Sequence, residues 1–223
     1  MFRKTSVSVA LLVAALAVPA CSPKAGGAGE KGAATLAAPI DKNTYVNEQF
    51  GLTITAPEGW YVMDSAVTKR LMDVGLEMST SEMDARAKAA VKASADNGSN
   101  LFGFMKYAPG KPVESNPGIL GVAEDVTVAP GIERGSDYLF HVKTLLGQTG
   151  MQANIAEGFQ TIKIDGKDFD RMDMEIVSMG RTMFQRYYAA RHGNNVVSFI
   201  QTYQSPEELA ELDKVLQSVK LKW

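Results

Sequence analysis

Cysteine and histidine are the residues that this chain has least of. Its 223 residues include one cysteine and two histidines, which excludes an intrachain disulfide, zinc or iron–sulfur sites built from several cysteines, and a three-histidine metal centre. Basic charge is not in excess either, because 23 Lys and Arg residues face 25 Asp and Glu residues. Nucleic-acid binders usually carry a clear basic excess. The sequence therefore predicts no bound metal, no cofactor and no nucleic-acid partner.

A short, mostly apolar stretch near the start of the chain is typical of a secretory signal peptide. Residues 7–18 follow Arg3 and Lys4 and lead into small residues that end at Ala20, which is the usual order of a leader and its cleavage site. The stretch has twelve residues, whereas a transmembrane helix needs about 20. We therefore predict that residues 1–20 are a signal peptide and are removed.

The one cysteine lies directly after the predicted cleavage site. Val18-Pro19-Ala20-Cys21 resembles the bacterial lipobox, in which the cysteine receives a diacylglycerol and becomes the acylated N-terminus. A lone cysteine has no second thiol to pair with in an oxidising compartment, which favours an anchor. We predict a lipidated, palmitate-bearing Cys21 that holds the domain at the bacterial cell envelope, facing the periplasm, with inner or outer membrane left open. The alternative is ordinary cleavage that leaves Cys21 as a free thiol.

A linker separates the predicted anchor from one folded domain. Residues 21–39 are rich in Gly and Ala and contain no aromatic residue, and a flexible segment of this length reaches about 23 Å on average. Removal of Arg3 and Lys4 leaves four more acidic than basic residues, so we expect the lipid and not a basic surface to hold the membrane. From Ile40 to Trp223 there is no further low-complexity break. We predict a single domain over residues 40–223.

Strands and helices follow one another in the first part of this domain. One or two short strands are predicted within residues 45–56, before the turn Pro57-Glu58-Gly59. Helical spacing of apolar residues predicts a helix around residues 67–78 and a second helical segment that Ser81 caps. Further strands are predicted at 101–107 and 119–128, and a helix from Ser136.

The last part of the domain has the clearest pattern. Asp165-Gly166 joins two strand-like runs, 159–164 and 169–178, as a tight hairpin turn. A second strand pair, 181–191 and 196–203, is followed by a helix in which Ser205 is the cap, Pro206 fits the first turn and Glu208 completes the capping box. An antiparallel meander followed by an amphipathic helix indicates an α+β domain, with helices packed on an antiparallel sheet.

Motifs near both ends of the domain match the order and spacing of motifs in a known family. The opening motif is Tyr45-x-Asn47-x-x-Phe50-Gly51-Leu52-x-Ile54-x-x-Pro57-x-Gly59-Trp60. The closing motifs are Gln185-Arg186-Tyr187-Tyr188, a strand from Val197 to Ile200, and a helix that ends Leu216-Gln217-Ser218-Val219-Lys220. Together these motifs resemble the PsbP-like superfamily, and the resemblance implies an α/β/α sandwich around an antiparallel sheet. It also implies a protein that binds or assembles other proteins, and it transfers no metal or catalytic position.

A run of carboxylates and one histidine are the candidate catalytic groups in the sequence. Neither matches a known catalytic or metal-binding pattern. The densest carboxylate run is Asp165, Asp168, Asp170, Asp173 and Glu175. Its spacing does not fit an EF-hand calcium loop, and we expect structural, solvated roles for these side chains. His141 lies beside the apolar stripe of its helix, and the chain has no G-x-S-x-G nucleophile elbow. We therefore predict that the protein is not an enzyme.

Aromatic side chains on neighbouring strands supply the candidate binding surface. Tyr187 and Tyr188 are adjacent in one strand, so their rings point to opposite faces of the sheet. We expect most of the aromatic area to be core, with one of these tyrosines lining a groove or docking surface. His192 falls in the following hairpin loop. Tyr187, Tyr188 and His192 are therefore the candidates for a partner or ligand surface.

The function predicted from these features is that of a non-enzymatic, lipid-anchored envelope protein that binds or assembles another protein. The alternative is a small-ligand or lipid carrier, because methionines such as Met63, Met105, Met172 and Met174 are suited to an adaptable apolar pocket. An exposed apolar patch favours the protein-binding module, and an enclosed apolar cavity favours the carrier. An envelope hydrolase ranks third, since it needs a nucleophile and a base that converge in one cleft.

Overall fold

A computed structural model describes residues 43–80, 85, 88, 98–127, 129, 131–147, 152–178 and 180–223. The strands in this part of the chain are β1 (Thr44–Asn47), β2 (Leu52–Thr55), β3 (Tyr61–Val62), β4 (Gly98–Met105), β5 (Gly118–Asp125), β6 (Gln152–Ile155), β7 (Gln160–Ile164), β8 (Lys167–Ser178), β9 (Arg181–His192), β10 (Asn195–Tyr203) and β11 (Lys220–Leu221). The helices are α1 (Ser65–Ser79), α2 (Gly135–Leu146) and α3 (Pro206–Gln217). The predicted signal peptide, Cys21, the linker up to residue 39 and the cap at Ser81 lie outside the described residues.

Two antiparallel sheets organise the described residues. The larger sheet has the strand order β3-β4-β5-β10-β9-β8-β6, and β7 pairs with the first part of β8. The smaller sheet has the order β1-β2-β11. The long strands β8, β9 and β10 are consecutive in sequence and adjacent in space, as the predicted meander requires.

Helices cover both faces of the large sheet. On one face, called the α2 face here, Tyr138 and Leu139 of α2 and Val67 of α1 pack on sheet residues such as Met172 and Tyr187. On the opposite face, called the α3 face here, α3 and the small sheet pack on an aromatic core. That core includes Phe102, Phe104, Phe169, Tyr188 and Phe199. The predicted α+β class, with an antiparallel sheet between two helical layers, is confirmed.

Local signals read from the sequence are present where they were expected. Asp165 and Gly166 have φ angles of 46° and 80°, which is the positive-φ pair that a two-residue hairpin turn needs. The Ser205 hydroxyl accepts a hydrogen bond from the Glu208 amide at 3.3 Å, and the Glu208 carboxylate accepts one from the Gln204 amide at 2.7 Å. The predicted hairpin and the predicted cap of α3 are thus confirmed.

The start of α2 is held by a strand as well as by Asp137 in its own first turn, whose carboxylate accepts from the Arg134 amide at 2.9 Å. The helix begins at Gly135, one residue before the predicted start, and the Ser136 amide donates to the Asp170 carboxylate on β8 at 2.6 Å. A Cβ atom on Gly135 would overlap the carbonyl oxygen of Ala189 on β9. Glycine therefore permits a close approach of α2 to the sheet, and Asp170 then satisfies an amide at the helix N-terminus.

The small sheet contains a strand that the sequence did not predict. β11 has two residues, and its partners are Thr53 and Leu52 of β2. The Leu221 amide donates to the Asp165 carboxylate at 2.7 Å, and the Trp223 indole donates to the Phe50 carbonyl at 2.6 Å. These contacts bind the end of the chain to the hairpin turn and to the beginning of the domain.

Candidate functional site

Of the helices that the structure describes, none covers the outer end of the α3 face. Along β8, Met172, Met174 and Ile176 point into the core of the α2 face, so the alternate residues point to the α3 face. Helix α3 lies against β10 and β2, and Val177 on β8 remains 42% exposed. We call this area the open sheet surface. Its members are Arg171, Asp173, Glu175 and Val177 of β8, Phe184 and Arg186 of β9, and Tyr203 of β10.

A pair of stacked rings forms the apolar part of the open sheet surface. Phe184 and Tyr203 are opposite each other across β9 and β10, with ring centroids 5.6 Å apart and ring planes at 24°. Both rings are half-buried. Burial raises the pKa of the Tyr203 hydroxyl, against a smaller lowering effect of Arg186. Tyr203 is therefore neutral near pH 7 and keeps its hydroxyl proton for a hydrogen bond.

An alternating row of charges borders these rings. Arg171 NH2 lies 2.9 Å from Asp173 Oδ2, and Arg186 Nε lies 3.3 Å from Asp173 Oδ1. Arg186 NH1 is 4.0 Å from Asp213 of α3. One carboxylate thus serves two guanidinium groups at short range, while the second carboxylate is beyond hydrogen-bond distance of Arg186.

Arg186 is held in a partly dehydrated position between aromatic rings and the acidic side chains. Its guanidinium carbon lies 6.0 Å from the centre of the Tyr203 ring, within the range of a cation–π contact. Burial lowers the pKa of Arg186, but Tyr203, Tyr188 and Asp173 raise it by more, and the net shift is upward. The charge is therefore permanent. Among the described residues, Nε of Arg186 and Nε of Arg171 have no hydrogen-bond acceptor.

Tyr187 and Tyr188 do point to opposite faces of the sheet, and both rings are buried. Tyr187 lies in the core of the α2 face and Tyr188 in that of the α3 face, each 2% exposed. Burial raises the pKa of both hydroxyls, that of Tyr188 to about 12. Helices cover both faces at this row, and a docking surface at these two residues stays a prediction. Whether either residue contacts a small ligand stays a prediction.

His192 is half-buried and belongs to the end of β9, not to the predicted loop. Its ring stacks on Trp223, with centroids 4.6 Å apart and planes at 18°. Trp223 stacks in turn on Phe169 at 5.7 Å. His192 therefore closes the aromatic core of the α3 face, and its role in partner binding stays a prediction.

The side chains of the acidic run make structural contacts, and Asp173 is less solvated than the sequence predicted. Asp165 accepts from the Leu221 amide, and this hydrogen bond, with a further contribution from Lys220, lowers the pKa of its carboxyl group. Asp168 pairs with Lys163 at 2.7 Å. Asp170 holds the start of α2, and Asp173 pairs with the two arginines. No group of three metal-ligating side chains comes together in the part of the chain that the structure describes.

The sequence reasoning missed a buried polar line on the α2 face. Glu124 of β5 is buried beneath α2, where the Tyr138 hydroxyl donates to its carboxylate at 3.1 Å. Further along, the Tyr187 hydroxyl donates to Gln185 at 3.0 Å, and Gln185 donates to Thr202 at 3.1 Å. The available signal was Glu124 itself, because it follows Leu120 and Val122 on the same face of a predicted strand.

The described helices do not include a candidate for a membrane span, since none is both long enough and apolar enough to cross a bilayer. No protein-family model matches the chain, and no curated protein sequence matches it significantly.

Similar solved structures include proteins of three bacteria. A Bacteroides thetaiotaomicron protein is 10% identical with a TM-score of 0.44; the match covers 82% of this chain and 50% of that chain, so this chain spans half its length. PsbP of Synechocystis is 11% identical with a TM-score of 0.48, and the match covers 88% of this chain and 99% of that chain. LpqN, involved in cell envelope biogenesis of Mycobacterium tuberculosis, is 11% identical with a TM-score of 0.39, and the match covers 76% and 82%. The matches thus include a PsbP, the family that the motifs resemble; with every TM-score below 0.5, no function is transferred.

Proposed function

We propose that this protein is a non-enzymatic, lipid-anchored module of the bacterial cell envelope that binds another protein through the open sheet surface. The observation that carries the proposal is the half-buried group of Phe184, Arg186 and Tyr203 on the end of the sheet that α3 leaves free. The periplasmic position and the anchor rest on the leader and Cys21 alone.

The residue types on the open sheet surface are those that dominate binding energy in protein interfaces. Tyrosine and arginine are enriched among the residues whose truncation weakens binding most. Phe184 and Tyr203 are already ordered by their stacking contact, so little side-chain entropy remains to be lost when a partner covers them. The exposed Val177 extends the apolar area toward the edge of the sheet. A protein partner gains the burial of this area without displacing any described element of the fold.

Cys21 gives a direct test of the anchor. Growth with labelled palmitate is expected to label the wild-type protein and not Cys21→Ala. A wild-type protein without label, together with an unchanged membrane fraction for Cys21→Ala, would contradict lipidation. This test is independent of the surface that binds the partner.

A photo-reactive residue at Val177 tests the binding surface in intact cells. Val74 on α1 is the matched control, because it is also an exposed valine, at 36% against 42% for Val177, and α1 covers the opposite face of the sheet. We expect cross-linking at Val177 to yield one discrete protein that can be identified and then bound in purified form, and cross-linking at Val74 not to yield it. Equal yields of the same product at both positions, or none at Val177, would contradict the proposed surface.

The small-ligand carrier remains the second candidate, because four methionines belong to the core of the α2 face. They are Met63, Met105, Met172 and Met174. A lipid that co-purifies with the protein, combined with no cross-linked protein at Val177, would favour the carrier over the binding module.

A further inference from the structure

We propose that the open sheet surface receives a segment of the protein partner in which one carboxylate side chain stands beside an aromatic or large aliphatic side chain. The carboxylate binds Arg186, and the apolar side chain packs on Phe184 and Tyr203. The inference rests on the proposed function, and it specifies the chemistry of the partner at that site.

Arg186 keeps hydrogen-bond donors for an acidic group from the partner, although the carboxylates of Asp173 and Asp213 lie beside it. Asp173 is shared with Arg171, whose NH2 lies closer to it, at 2.9 Å, than Arg186 Nε does, at 3.3 Å. Asp213 is 4.0 Å from Arg186 NH1 and already accepts from Gln201 at 3.2 Å. The guanidinium group therefore keeps donors for another acceptor, and a carboxylate matches its fork with two parallel hydrogen bonds.

The position of the Phe184 and Tyr203 rings indicates which side chain of the partner lies next to its carboxylate. On β9, Phe184 and Arg186 are two residues apart and project from the same face of the strand. Tyr203 is opposite Phe184 and lies under the Arg186 guanidinium. A side chain next to the bound carboxylate therefore meets the ring pair directly, and an aromatic or large aliphatic group removes the most apolar area from water there.

Glu175 limits the charge that the partner segment can carry. It is opposite Phe184 on β8 and forms no ion pair with any of the residues that the structure describes. A second carboxylate on the far side of the rings would face Glu175 at close range and be repelled. The surface is therefore expected to prefer one acidic residue beside an apolar one over a run of acidic residues.

A random library of displayed 12-residue peptides, selected on the purified full-length chain in detergent, tests this chemistry without knowledge of the partner. We expect enriched peptides with one Asp or Glu within two residues of Phe, Tyr, Trp or Leu. Binding of a selected peptide should weaken by about tenfold or more in Arg186→Gln, by less in Arg186→Lys, and with rising salt.

Arg70→Gln is the matched control, since Arg70 is an exposed arginine on α1 and should leave binding unchanged. Thermal unfolding of each variant shows whether it is folded. Enrichment without acidic residues, no enrichment at all, or equal binding by folded Arg186→Gln would overturn the inference. The two proposals fail separately: peptide binding without a cross-linked protein at Val177 contradicts the proposed function alone, and a cross-linked protein without carboxylate selection contradicts this inference alone.

Discussion

The two faces of the large sheet differ in how far burial extends along the strands. On the α2 face, burial reaches the row of Gln185 and Thr202, and both of these polar side chains are buried. On the α3 face the cover ends one row earlier, so Arg186, Phe184 and Tyr203 are only half-buried. The same three strands thus form a closed core on one side and a partly open surface on the other.

The difference also appears in the way polar groups are satisfied. The buried polar line of the α2 face makes hydrogen bonds internally, for example from Tyr138 to Glu124 and from Gln185 to Thr202. The exception among the described residues is the buried Ser198 hydroxyl on the same face, which has no hydrogen-bond partner. On the α3 face, Asp173 and Arg186 contact each other at 3.3 Å without a hydrogen bond. Polar groups of the closed face contribute to folding, whereas those of the open sheet surface keep capacity for a further contact.

Alanine substitution of two phenylalanines on the α3 face compares the stability contributed by its covered part with that contributed by its open part. Phe169 is fully buried between Phe199 and Trp223, and Phe169→Ala is expected to lower the free energy of unfolding by about 4 kcal/mol. Phe184→Ala should cost only about 1 kcal/mol, because the ring is half-exposed already. Urea unfolding of both variants measures this. Equal losses would show that the open end is as tightly packed as the core.

Alanine substitution of two glycines compares a position where α2 closely approaches β9 with a loop position that has free space around it. In Gly135→Ala the new methyl group overlaps the Ala189 carbonyl oxygen, so α2 must shift, and we expect a loss of about 3 kcal/mol in the free energy of unfolding. Gly131→Ala is the control, since its Cβ would meet nothing within 4 Å. If both variants unfold at the same urea concentration, the seat of α2 on β9 does not depend on Gly135.

The pH dependence of stability tests how deeply Tyr187 and Tyr188 are buried on the two faces. The pKa of an unfolded tyrosine is about 10, while burial raises that of Tyr188 to about 12. Between these values the folded state holds the proton that the unfolded state has lost. Stability is therefore complete below pH 10 and falls as the pH rises toward 12, by about 2 kcal/mol for this group.

Tyr188→Phe should reduce that fall in stability, and Tyr187→Phe should do the same from the other face, because burial raises the pKa of Tyr187 as well. Urea unfolding at several pH values between 9 and 12 measures the slope for wild type and both variants. An unchanged slope in Tyr188→Phe would mean that its hydroxyl reaches water. Such a result would place the boundary of the open sheet surface one row deeper.

Disruption of the buried Tyr138–Glu124 pair on the α2 face should have a smaller effect on the free energy of unfolding. Tyr138→Phe removes the donor to the Glu124 carboxylate and keeps the ring, so the loss should reflect the hydrogen bond and be about 1.5 kcal/mol. Burial and the nearby Glu124 raise the pKa of Tyr138 well above its usual value, which keeps this donor protonated near pH 7. Tyr61→Phe, at a half-buried ring on the edge strand β3, is the control. Equal effects would argue against a special role of the pair.

Local sequence patterns predicted the strands and helices well, but not which strand residues the helices cover. The alternation of Met172, Met174 and Ile176 with charged residues gave β8, and Asp165-Gly166 gave its turn, because strand period and turn chemistry depend on neighbours in sequence. The exposure of a strand residue depends instead on which helix lies above it. Tyr188 and Arg186 occupy the same face two residues apart, yet only Tyr188 is fully buried.

Other parts of the site depend on contacts between distant parts of the chain. β11 has two residues, too few for a periodic signal, and Asp165 fixes it across 56 positions of sequence. Asp173 was expected on a solvated face and is instead paired with Arg171 and Arg186. The sequence predicted the strand that carries Arg186. Which of Tyr187, Tyr188 and Arg186 is exposed depends on where α3 ends, and the sequence does not show this.

The smallest expected effect on stability belongs to the residue expected to matter most for binding. Arg186→Gln removes a partly exposed ion pair at 3.3 Å and a longer one at 4.0 Å, and pairs of this kind contribute about 0–1 kcal/mol. We expect its unfolding midpoint in urea to lie close to that of Arg70→Gln. A loss well above 1 kcal/mol would make Arg186 a part of the core, and the weakened peptide binding would then follow from a disturbed fold. A near-neutral result leaves the guanidinium group of Arg186 available to a partner, and the contrast with Phe169→Ala then separates the part of the α3 face that holds the fold from the part that is free to bind.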